Sequence, residues 1–140
     1  MDLYGEFEWR GLVYDATEGL KERFARPGIT AYVGFDPTAS SLHVGSLLPI
    51  MALARLERAG HHPIAVVGGG TGLIGDPSGK TVERLLLTDS QVDANVTAIR
   101  TQLARFLDFD SERPRARLIN NVTWLGNLSA IDFMRDIGKH

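Results

Sequence analysis

The chain has 140 residues, a formal net charge of -2, 44% hydrophobic residues and no cysteine. That length fits one domain or part of one, able to bury roughly 68–70% of its unfolded surface. The composition excludes disulfides, thiolate metal sites, cysteine nucleophiles and a disordered chain, and it shows no overall basic field of the kind nucleic acid attracts.

The chain opens on the acidic run Met1-Asp2-Leu3-Tyr4-Gly5-Glu6, which lacks the basic and apolar regions of a secretion signal. No apolar run approaches the ~18 residues of a membrane span, so a cytoplasmic protein without a membrane partner is expected. Leu3 to Trp9 reads as an amphipathic helix, Gly11 to Gly19 as a polar connection, and Gly19 to Ala25 as a helical turn. Ile29 to Phe35 is the first strand, β-branched and aromatic, stopped by Pro37. A helix ending at Gly60 follows, with Ser46 as N-cap and Pro49 tolerated in its first turn. Leu47, Leu48, Met51, Leu53, Ala54 and Leu56 form its expected buried side, and Arg55, Glu57 and Arg58 its wet side. Pro63 to Val67 is a continuous apolar strand, as if covered on both faces. Gly68 to Lys80 reads as a glycine-rich loop, Thr81 to Leu87 as a short helix and Asp89 to Phe106 as a longer one. Arg115 to Asn120 is the third strand. Ser129 to Ile137 is the last helix, capped by Ser129 with Asp132 in the capping-box position. Strands alternating with helices predict a parallel sheet joined by right-handed crossovers. The Asn-x-Ser/Thr triplets at Asn95, Asn121 and Asn127 read as chance, because nothing else points to secretion.

Two segments carry chemistry. Tyr32 to Ser46 runs a strand into a polar turn and delivers His43, Gly45 and Ser46 to a helix entrance. Unpaired amides and the positive dipole end attract phosphate there. A histidine at that point can donate to phosphate oxygens as their charge grows. The second segment, Gly68 to Thr81, admits three readings. Gly70-Thr71-Gly72-Leu73-Ile74-Gly75 matches the dinucleotide fingerprint, but the loop predicted after it does not open a helix at once. Gly75 to Thr81 ends in Gly-Lys-Thr but has one residue too few between its glycines for an NTPase phosphate loop. In the third reading this loop and the His43 turn share a site at the carboxyl ends of the strands, where open α/β sheets bind ligands. Asp76 can then hold an ammonium group. Lys80 and Arg84, four apart on one helix face, can reach phosphates.

The run Tyr32 to Ser46 resembles the first signature of class I aminoacyl-tRNA synthetases, the His-Ile-Gly-His type, here His43-Val44-Gly45-Ser46. Tyr32-Val33-Gly34-Phe35-Asp36-Pro37-Thr38, Gly72 to Lys80, Trp9-Arg10-Gly11 and Asn120-Asn121-Val122-Thr123-Trp124 are similar to the bacterial tyrosine-specific branch. The resemblance covers nearly the whole chain in order.

The resemblance implies an α/β, Rossmann-like parallel sheet with flanking helices, truncated. Residues 1–28 would be an N-terminal helical segment and 29–140 the first part of the catalytic domain. It implies activation of L-tyrosine by ATP with Mg2+, and transfer of the tyrosyl group to tRNA(Tyr), in a protein that is homodimeric at full length. No tightly bound cofactor and no protein-held metal is expected. Thr38 and His43 match residues that bind the triphosphate and hold it more strongly in the transition state. Gly45 matches a position that leaves room for adenine, and Ser46 one that reaches toward ribose. Tyr32 matches a residue bonding the substrate phenol, and Asp76 a ligand of its ammonium. Asp36 and Thr71 line the same pocket by this resemblance. Lys80 and Arg84 match residues on the pyrophosphate side of ATP, and Trp124 one beside the pocket.

Each residue also has an ordinary reading. Tyr32 can be core, His43 a cap, Lys80 and Arg84 a solvated face, Asp76 a turn former and Trp124 packing. Ser46 departs from the commoner histidine. The Lys-Met-Ser-Lys-Ser signature is absent, since Lys21, Lys80 and Lys139 are the only lysines. The chain therefore reads as the amino-terminal half of a catalytic domain. In isolation it is either a catalytic piece with residual tyrosine activation or a non-catalytic fragment that binds ATP or tyrosine.

Overall fold

Three short parallel strands, in the order β1-β2-β3, organise the chain in the computed structural model, which describes residues 2–26, 28–74, 87–112, 115–138 and 140. The strands are β1 (Thr30–Phe35), β2 (His62–Val67) and β3 (Arg117–Asn120). Tyr32 lies opposite Ile64, Gly34 opposite Val66, and Val66 opposite Ile119. The helices are α1 (Leu3–Trp9), α2 (Leu20–Phe24), α3 (Leu47–Arg58), α4 (Gly69–Ile74), α5 (Asp89–Leu103), α6 (Val122–Leu125) and α7 (Ala130–Asp136). The predicted parallel α/β architecture is what the coordinates show. Among the described residues no helix is long and apolar enough to cross a membrane.

The core lies on one face of the sheet. Phe35, Ala65 and Val67 point into it from the strands, Ile50, Leu53 and Leu56 from α3, and Ile99 and Leu103 from α5. α3 and α5 share that face, the arrangement expected when successive crossovers run in the same direction with the usual right hand. The other face carries Thr30, Tyr32 and Gly34 of β1 and the half-buried Ile64 and Val66 of β2. β2 therefore alternates between buried and half-buried positions, and the expectation of equal cover on both faces does not hold.

Local signals fix most boundaries. Asp2 caps α1 through Gly5 N–H (2.9 Å). Thr88 and Gln91 close a full capping box on α5. Ser129 caps α7 by accepting from Asp132 N–H (3.0 Å). Five corrections follow. Residues 69–74 are helical rather than loop. The short helix α6 was not foreseen. Ser46 occupies the cap position of α3 but makes no capping bond, because a 3-10 turn over Val44–Ser46 precedes the helix and already holds Ser46 in helical geometry. Leu47 and Leu48 are exposed. Leu48 instead lines an apolar cavity of about 260 Å³ with Phe7, Leu12, Pro49 and Ala52. Arg55 leaves the wet side, bonding Met51 O (3.1 Å) and pairing with Glu6 across to α1. The helix predicted over 81–87 lies outside the described residues apart from its last one.

His61 joins the lead-in helices to the sheet. It is buried, its Nδ1 accepts from Ile29 N–H (3.4 Å), and its ring stacks on Phe24, which packs edge-on against Phe7. Burial lowers its pKa below the ordinary 6.5. The nearby Phe24 carbonyl opposes that shift, and His62 adds to it. Among the described residues its Nε2 is buried without a hydrogen-bond partner.

Candidate functional site

The carboxyl ends of β1 and β2 feed two turns, and backbone bonds tie those ends together. Gly68 N–H donates to Phe35 O (2.9 Å), and Asn121 N–H donates to Val67 O (3.0 Å). The chain leaving β2 must pass very close to its neighbours. A Cβ on Gly68 would stand 2.7 Å from Thr71 Oγ1 and 3.2 Å from Asp36 Oδ1. A Cβ there would have to push the Thr71 hydroxyl aside, and the bare Cα of Gly68 lets the Asp36 carboxylate and the Thr71 hydroxyl approach one spot. Pro37 is buried in the same junction, within packing distance of Gly72. Two of the candidate residues, Asp36 and Thr71, are thus brought together from different turns.

α4 forms in a glycine-rich segment because its first amides find partners outside the helix. Asn120 Oδ1 accepts from Gly69 N–H (3.1 Å) and from Val122 N–H (3.1 Å). Asn121 Oδ1 accepts from Gly70 N–H (2.7 Å), and its Nδ2 donates to Thr71 Oγ1 (3.1 Å). Helix entrances leave such donors orphaned, and two consecutive asparagines satisfy two of them. Thr71 Oγ1 donates in turn to Gly68 O (3.2 Å). Its one proton is committed, so toward a ligand this hydroxyl offers a lone pair. The asparagines also seat α6 against α4, where a Cβ on Gly70 would stand 3.2 Å from Val122 Cα. Trp124 on α6 is half-exposed.

The turn after β1 ends in a histidine cap. His43 is extended, and its Nδ1 accepts from Gly45 N–H (3.0 Å). A Cβ at Gly45 would stand 2.8 Å from the imidazole, so a larger residue would push the ring out of this fold-back. With Nδ1 as acceptor, the neutral ring carries its proton on Nε2, which remains a donor. The ordinary reading of His43 as a cap and the phosphate-donor reading are therefore compatible, one on each nitrogen. Thr38 and His43 are exposed and Ser46 is half-buried.

Tyr32 lies on the open sheet face and is 74% exposed, so the core reading fails for it. Gly34, two residues on and on the same face, would meet nothing within 4 Å among the described residues if given a Cβ. Asp76, Lys80 and Arg84 lie outside the described residues. Sequence reasoning passed over Asn120 and Asn121 as bonding groups. The signal available was two adjacent amides at a strand's end opposite a glycine run whose amides need partners.

Three comparisons bear on this arrangement. The family model described as tRNA synthetases class I (W and Y) matches residues 25–140. The tyrosine–tRNA ligase of Roseiflexus castenholzii is 58% identical over 138 residues, 99% of this chain and 32% of the relative. That of Opitutus terrae is 50% identical over 142 residues, 100% of this chain and 33% of the relative. The chain thus spans about a third of the length of the curated relatives it matches. Among solved structures, a C-terminally truncated mitochondrial tyrosyl-tRNA synthetase of Aspergillus nidulans superposes with a TM-score of 0.77 at 28% identity. It covers 99% of this chain and 42% of that one.

Proposed function

This chain belongs to the class I tRNA synthetases of the tryptophan and tyrosine type, and from that membership we propose that it forms the amino-terminal part of the catalytic domain of a tyrosine–tRNA ligase. Residues 1–28 are then a helical lead-in, and 29–140 begin the nucleotide-binding domain. The whole protein joins the carboxylate of L-tyrosine to the α-phosphate of ATP, releases pyrophosphate, and passes the tyrosyl group to tRNA(Tyr). It works in the cytoplasm as a homodimer, and Mg2+ arrives with the ATP phosphates.

The observation that carries this reading is the meeting of Asp36 and Thr71 over Gly68, one from each turn at the sheet's carboxyl end. On this reading Tyr32 bonds the substrate phenol beside Gly34. Asp36 and the Thr71 lone pair line the amino-acid pocket, and Asp76 takes the ammonium. His43 donates from Nε2 to the triphosphate, together with Thr38, Lys80 and Arg84. Gly45 admits the adenine and Ser46 the ribose. Displacement at phosphorus needs positioning and charge stabilisation more than covalent help, which suits donors held by caps and glycine contacts.

For the 140 residues alone we favour binding without turnover, because a Tyr32 that is 74% exposed has no enclosing wall to pre-organise the pocket. Tyrosine-dependent exchange of pyrophosphate into ATP tests this. We expect ATP or a tyrosyl-adenylate analogue to raise the melting temperature while exchange stays at background. Exchange that His43→Ala abolishes would establish catalysis by the chain itself. A thermal shift with NAD and none with ATP would return the site to the dinucleotide reading.

A further inference from the structure

The loop between β1 and α3 carries Asp36, Thr38 and His43, yet among the described residues its positions 38–41 make no backbone–backbone hydrogen bond. What holds it comes from a distant helix. Asn95 Nδ2 donates to Pro37 O (2.9 Å), and Gln102 Oε1 accepts from Leu42 N–H (3.0 Å). The two bonds bracket Thr38 to Ser41, one at each end. Asn95 and Gln102 are seven residues apart on α5, two turns, so they share one face and lie about 10 Å apart along the axis. Val92, Ile99 and Leu103 of the same helix are buried in the core, which fixes α5 as a rigid bar. Both amides are half-buried, where an unpaired polar group is costly and an apolar residue would pack at least as well. Their placement is explained by what they hold.

We propose that Asn95 and Gln102 are positioning residues that set where the loop presents Thr38 and the His43 imidazole to a nucleotide triphosphate. This rests on the nucleotide reading above. Neither residue touches the ligand. They act through Pro37 and Leu42, the anchors of the segment that does. α5 thereby serves the site although none of its residues resembles a synthetase signature. The Asn95 triplet is also accounted for, because its amide nitrogen is engaged with Pro37 O.

The test uses the 140-residue chain, with amide exchange and histidine resonances read by NMR and ATP titrated as the probe. Losing one hydrogen bond of this kind is a change of about tenfold. Gln102→Ala should speed exchange at Leu42 by about that factor, shift the His43 imidazole resonances and weaken ATP binding about tenfold. Exchange at Ile99 and Leu103 should stay as it was, showing that α5 is intact. Gln102→Glu, which keeps an oxygen at the same reach, should restore protection at Leu42. Asn95→Ala should weaken ATP binding from the other end of the loop. Unchanged Leu42 exchange in Gln102→Ala overturns the proposal, and so does faster exchange with unchanged ATP affinity. If the unsubstituted chain binds no ATP, the nucleotide reading fails on its own, and Leu42 exchange with the His43 resonances still decides whether α5 positions the loop.

Discussion

The two faces of the sheet are made from the same three strands and have opposite fates. On one, Phe35, Ala65 and Val67 are sealed under α3 and α5. On the other, at the alternate positions of β1 and β2, Tyr32 is 74% exposed and Ile64 and Val66 are half-buried. Side chains alternate along a strand, so apolar content alone cannot distinguish the faces, and the crossover helices do. The covered face supplies stability. The other face leaves the Tyr32 phenol exposed beside Gly34.

Breaking the covered face should cost most. Leu53 is fully buried, and Leu53→Ala should remove about 3 kcal/mol in urea unfolding. A loss under about 1 kcal/mol would mean that this face is not the core. Next comes the junction between the faces. Asn120→Ala strands the Gly69 and Val122 amides and should cost about 2 kcal/mol. Asn120→Asp keeps the acceptor and should recover most of it.

At the amino ends of the strands the effect is smaller and depends on pH. The depressed pKa of His61 means that the unfolded chain binds its proton more readily than the folded one. Its contribution is present above 6.5 and is lost as pH falls through the lower folded value. Melting temperature measured from pH 7.5 to 5 should fall faster in the parent chain than in His61→Phe. Parallel curves would remove His61 as the cause. The smallest stability change should come from the open face. Tyr32→Phe should alter stability by less than about 0.5 kcal/mol, yet weaken tyrosine binding about tenfold by leaving the substrate phenol unpaired. A stability loss as large as that of Leu53→Ala would erase the distinction between the faces.

The sequence by itself determined the strands, most of the helices and the family. Each rests on signals written locally: β-branched runs, the capping residue Ser129, and the order of the motifs around His43. It also marked Asp36, Thr71 and His43. What only the tertiary structure decided is the support behind them. The fold makes Gly68 the meeting point of two turns. It gives α4's first amides their acceptors on Asn120 and Asn121, and it sets Asn95 and Gln102 against a loop some sixty residues away. The loop reading of residues 69–74 failed for the same reason. Glycines have little helix propensity of their own, so the partners that fix them must come from elsewhere in the chain. Periodicity records which side of an element is apolar. Which side becomes buried, and which amide finds which carbonyl, is settled when distant segments meet.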